Sequence, residues 1–87
     1  MKIKKDFILR EIVGDYVLVP VGKTVNEFTG LFPLTETGAR IYELLPEAEN
    51  EEYIVNKLYE EYEVDRETLK TDVNGFLDKL RKYGIID

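Results

Sequence analysis

Cysteine and histidine are both absent from the 87 residues. Without cysteine there is no disulfide, no thiolate nucleophile and no sulfur metal ligand. Without histidine the usual general base near neutral pH and the commonest zinc ligand are gone. Carboxylates, lysines and tyrosines are left for any chemistry, so neither catalysis, a metal nor a cofactor is expected. No apolar run approaches the ~20 residues that cross a bilayer, and no membrane partner is expected. Met1-Lys2-Ile3-Lys4-Lys5-Asp6 carries the charge of a signal-peptide start, but no apolar segment or small-residue cleavage site follows it. A cytoplasmic location is the expectation. Positive charge is scarce as well, with 12 lysines and arginines against 18 acidic residues and a formal net charge of −6. That balance repels a phosphate backbone and argues against nucleic-acid binding, although Lys79, Arg81 and Lys82 form a small basic cluster.

What is present is an ordinary globular balance, 44% hydrophobic and 34% charged, in a length that supports one small domain, 1–87. Phe7 to Val13 and Tyr16 to Val21 are rich in β-branched, aromatic and leucine residues. Gly14-Asp15 between them reads as a hairpin turn. With those two residues as the loop, Val13 faces Tyr16 and Ile12 faces Val17. Ile8, Ile12, Val17, Val19 and Val21 then share one face, which is read as core. The other face carries Leu9, Val13, Tyr16 and Leu18 with Glu11, and part of it is expected to meet another surface.

The chain changes period between Gly30 and Leu45. Leu31-Phe32-Pro33-Leu34 reads as a short third strand, and after Thr35 the apolar residues fall three and four apart. Thr35 is the expected helix cap, Glu36 complements the dipole, and Ile41, Tyr42, Leu44 and Leu45 form the buried stripe before Pro46. Asn50 caps a second helix with Ile54, Val55, Leu58, Tyr59 and Tyr62 inward. Asp65 caps a third with Leu69, Val73, Phe76, Leu77 and Leu80 inward, and Gly84 ends it. Three strands followed by three helices make a winged-helix-like α+β domain. Its expected core is Ile12, Val17, Val19, Ile41, Leu45, Leu58, Val73, Phe76 and Leu80.

Two chemical motifs are excluded by their surroundings. Gly22-Lys23-Thr24 ends like a phosphate-binding loop, but the first glycine of that motif would fall at Val17 within a strand, and no helix begins after Thr24. The glutamates around the second helix lack the order of a calcium loop. Glu51 and Glu52 point in different directions and make no catalytic pair.

Three stretches together resemble the PqqD family of coenzyme PQQ synthesis proteins, whose fold is also the leader-recognition element of enzymes that modify ribosomally made peptides. They are Tyr16-Val17-Leu18-Val19-Pro20, Leu34-Thr35-Glu36-Thr37-Gly38-Ala39 with Ile41, and Asp72-Val73 followed by Phe76-Leu77, Leu80 and Gly84-Ile85-Ile86. The resemblance implies a non-catalytic binding module. It would hold the leader of a precursor peptide beside the third strand and last helix, and present it to a modifying enzyme, typically a radical SAM enzyme. The chain departs from the shorter PqqD pattern in its longer Lys23–Gly30 connection and in Pro33, so PQQ is not assigned as the product. A winged-helix DNA-binding regulator and a structural accessory subunit are the competing readings.

If the leader adds as a strand, Leu31, Phe32, Pro33 and Leu34 form the edge that takes it. The nitrogen of Pro33, which cannot donate, faces the open side, with Leu31 beside it. On the last helix, Lys70, Asn74, Leu77 and Arg81, with Val73, mark one border of the apolar face. Asp72, Lys79 and Tyr83 mark the other. The first border supplies the cations expected to meet an acidic leader. A monomer or weak homodimer is expected.

Overall fold

A computed structural model describes residues 1–87. Strands β1 (Phe7–Ile12), β2 (Asp15–Pro20) and β3 (Phe32–Leu34) form one antiparallel sheet in the order β1-β2-β3. Helices α1 (Glu36–Leu44), α2 (Glu51–Glu61) and α3 (Arg66–Lys82) follow. This is the expected α+β plan.

Each helix starts where a polar side chain can satisfy a free N–H of its first turn. Thr35 Oγ1 accepts from the Gly38 N–H at 3.0 Å, Asn50 Oδ1 from Tyr53 at 2.9 Å, and Asp65 Oδ2 from Thr68 at 3.3 Å. All three caps are those expected. Gly84, with φ 71°, turns the chain after α3, and the Ile85 N–H returns to the Leu80 carbonyl at 2.9 Å. The chain's last residues then lie beside its first. Ile86 pairs with Ile3, the Lys4 N–H donates to the Ile85 carbonyl at 2.7 Å, and the Lys4 ammonium lies 3.5 Å from the Asp87 carboxylate.

The hairpin differs from expectation in its turn and in which face is buried. Ile12 pairs with Asp15, Arg10 with Val17 and Leu9 with Leu18, so the two-residue loop is Val13-Gly14. Both loop residues have positive φ, 49° and 84°. That is the backbone of a primed turn, whose twist matches the flanking strands and which puts glycine second. Ile8, Val17 and Val19 do share a face with Ile12, but it is the outer one: Ile8 and Ile12 are exposed, and of the four only Val17 is buried as expected. The inner face carries Phe7, Leu9, Leu18, Phe32 and Leu34. Both faces are apolar, and the helices cover the one that carries the leucines and aromatic rings rather than the β-branched residues.

The core therefore centres on Leu18 with Ile41, Tyr42, Leu44 and Leu45 of α1 and its end, Ile54, Val55 and Leu58 of α2, and Leu69, Val73, Leu77 and Leu80 of α3. Ile12, Val19 and Phe76 are not in its buried interior: Ile12 is exposed, Val19 and Phe76 half-buried. Tyr59 is also exposed, with Arg66 5.7 Å over its ring. The Lys23–Gly30 connection is not plain loop. It opens with a 3₁₀ turn, Gly22–Asn26. Buried Thr24 ties it down by accepting from the Asp6 N–H at 2.8 Å, and Phe28 meets Phe7 edge-on at 5.2 Å.

Candidate functional site

The open edge of β3 follows from counting along the sheet. Residues flanking a two-residue hairpin loop form a hydrogen-bonded pair, and bonded and non-bonded pairs then alternate. Ile12–Asp15, Arg10–Val17 and Ile8–Val19 are thus bonded across β1 and β2. In β2 this leaves Tyr16 and Leu18 to bond β3, through their partners Leu34 and Phe32. Pro33 faces Val17, whose backbone groups already serve β1, so the missing N–H costs the sheet nothing. Leu31 and Pro33 consequently direct their backbone groups outward, and so does the N–H of Thr35, whose carbonyl accepts from the Ala39 N–H at 2.9 Å. Neither Leu31 nor Thr35 donates its N–H to any group within the chain. The edge offers two free donors on either side of a proline that has none.

Alongside this edge runs a groove of about 290 Å³ bordered by Phe28, Leu31, Phe32, Pro33, Lys79 and Tyr83. Tyr83 meets Phe32 edge-on at 5.4 Å, and the Lys79 ammonium lies 5.3 Å from the centre of the same ring. Further along, a second hollow is lined by Thr35, Thr37, Gly38, Ile41, Asp72 and Phe76. Gly38 permits that hollow, since a Cβ there would lie 3.2 Å from the Phe76 ring. Leu31 is 56% exposed, an apolar side chain left in water next to unpaired backbone.

The expected site residues divide. Phe32, Pro33 and Leu34 form β3 itself, with Leu31 just before it, and β3 is an outer strand. Val73 and Leu77 lie in the core with no exposed surface. In this packing they offer a docked chain no surface. Lys70 and Asn74 face α2, in a separate polar hollow with Glu51, Glu52, Val55, Arg66 and Thr71. Arg81 is held by the Asp78 carboxylate and the Asp87 carbonyl, both at 3.0 Å. The border of α3 that accompanies β3 is Asp72, Phe76, Lys79 and Tyr83, because the rotation of α3 that buries Leu69, Val73, Leu77 and Leu80 turns Lys70, Asn74 and Arg81 away. Thr35 and Phe28 are additions. The outward N–H of Thr35 follows from the same alternation that placed Leu31.

No three carboxylates converge where a cation could sit. The phenols that shift do so upward, Tyr42 through burial and Tyr53 through its hydrogen bond to the Glu47 carboxylate, so they remain neutral donors. Neither borders the groove. An open strand edge beside an apolar groove is the geometry of strand-addition binding.

The chain belongs to the PqqD family, matching the model for coenzyme PQQ synthesis protein D over residues 15–86. It is also similar to the solved structure of TbiB1 in complex with the TbiA(beta) leader peptide. The two share 32% sequence identity and superpose with a TM-score of 0.74, covering 100% of this chain and 95% of that one. No curated protein sequence matches.

Proposed function

We propose that the domain is a non-catalytic module that holds the leader of a ribosomally made precursor peptide as an added strand on β3. It presents that peptide to a separate modifying enzyme, a radical SAM enzyme being the expected partner, and works in the cytoplasm as a monomer or weak homodimer. The observation that carries this is the pair of free N–H groups at Leu31 and Thr35 beside the Phe32–Tyr83 groove. The similarity to a protein solved with a leader peptide supports it. Backbone bonds at the edge would supply attachment, and the aromatic groove would supply selectivity for apolar leader side chains. No helix is long and apolar enough to cross a membrane.

Calorimetric titration with the leader encoded beside this gene tests the site. Leu31→Pro removes one donor and should weaken binding by about 1–3 kcal/mol when its partner carbonyl is left buried and unpaired. A folded Leu31→Pro domain that binds the leader as tightly as the wild type would rule out strand addition on β3.

A further inference from the structure

We propose that the groove selects peptides carrying a basic residue followed, two or four positions later, by an acidic one. This rests on the peptide-binding reading above and adds a sequence preference to it. β3 and α3 run in opposite directions along the groove. Leu31, Phe32 and Pro33 lie with Lys79 and Tyr83 at one end, and Thr35 lies with Asp72 and Phe76 at the other.

Lys79 and Asp72 are exposed, and neither takes part in an ion pair within the chain. The Phe32 ring holds the Lys79 ammonium over the groove floor. The nearby cation Arg81 is already engaged by Asp78 and the Asp87 carbonyl. The groove thus has a positive end and a negative end. Seven helical residues at about 1.5 Å each separate the two charges by roughly 10 Å. An added strand advances about 3.4 Å per residue and sends alternate side chains to one face, so two side chains facing α3 are an even number of residues apart. Spacings of two and four bracket the separation, and the long side chains of lysine, arginine and glutamate cover the difference. An added strand antiparallel to β3, like every pair already in this sheet, starts at the Asp72 end and finishes at the Lys79 end. The basic residue therefore comes first.

A displayed library of random 12-residue peptides, selected in parallel on the wild type and on an Asp72→Lys/Lys79→Asp double variant, tests this. Both positions are exposed, so the variant should keep the wild-type circular dichroism and a cooperative thermal transition, its midpoint lowered only slightly by loss of the Lys79–Phe32 contact. The wild type should enrich base-then-acid peptides at even spacing, and the variant the reverse order. A wild-type winner should bind the variant about tenfold more weakly at low salt, with the difference shrinking as salt rises. Peptides enriched without a charge pair, in acid-first order on the wild type, or in the same order on both proteins would overturn the charge preference while leaving peptide binding intact. If no peptide is enriched on either protein, the peptide-binding reading fails and this one with it.

Discussion

Val13 sits at the hairpin tip with φ 49° and 99% of its surface in water. A branched side chain in the left-handed region costs about 1–2 kcal/mol, and here no packing offsets it. Asparagine suits that turn position, so Val13→Asn should stabilise the domain by about 1 kcal/mol, read as a higher thermal midpoint. An unchanged or lower midpoint would show that the turn holds no such strain. The same residue explains why the turn was hard to read. Gly14-Asp15 looks like the better loop, and valine is a poor choice where φ must be positive. The strands decide instead, because the observed register sets Leu9 against Leu18 on the inner face. Alternation told which residues share a face. It did not tell which face the helices cover, since Ile8 and Ile12 are as apolar as Phe7 and Leu9.

At the level of elements, the helices were the legible part, because a cap is a local contact three residues long. Thr35, Asn50 and Asp65 each needed only their own first turn. The β3 edge was legible for a related reason: one proline, with strand alternation, fixed which backbone groups face outward. The groove was not legible, because it depends on the rotation of α3 about its axis, which long-range packing sets. Lys70, Asn74 and Arg81 have the spacing of a binding stripe and lie on the wrong side for β3. One long-range contact also joins α1 to α2. The Arg40 guanidinium donates from Nε and one terminal nitrogen to the two Glu61 carboxylate oxygens, both at 2.7 Å. That hydrogen bonding holds the Glu61 carboxyl below its usual range, while Arg40 stays protonated throughout. A carboxyl lowered by folding contributes stability that is complete above its unfolded value, 4.5, and is lost as pH falls through the folded one. Arg40→Gln should therefore cost about 0.5–1 kcal/mol at neutral pH, a partly exposed pair being worth no more. Denaturation curves of the two proteins should converge in strong acid. A deficit that persists there would mean that Arg40 acts through packing and not through its charge.

For the molecule as a whole, the pairing of Ile3 with Ile86 has a consequence for how the domain can be wired to other chains. Two ends held side by side behave as the two leads of a plug: joining them closes a very short loop, which costs little entropy. A circular permutant that links Asp87 to Met1 by a few glycines and serines, and opens the chain between the exposed residues Glu63 and Val64, should fold with the same helical signal and a cooperative transition. Loss of that transition would show that the α2–α3 connection must stay covalent for the helices to dock. If the permutant folds, the peptide edge remains untouched by the new junction, and the domain can be spliced into the middle of a larger protein as readily as appended to its end.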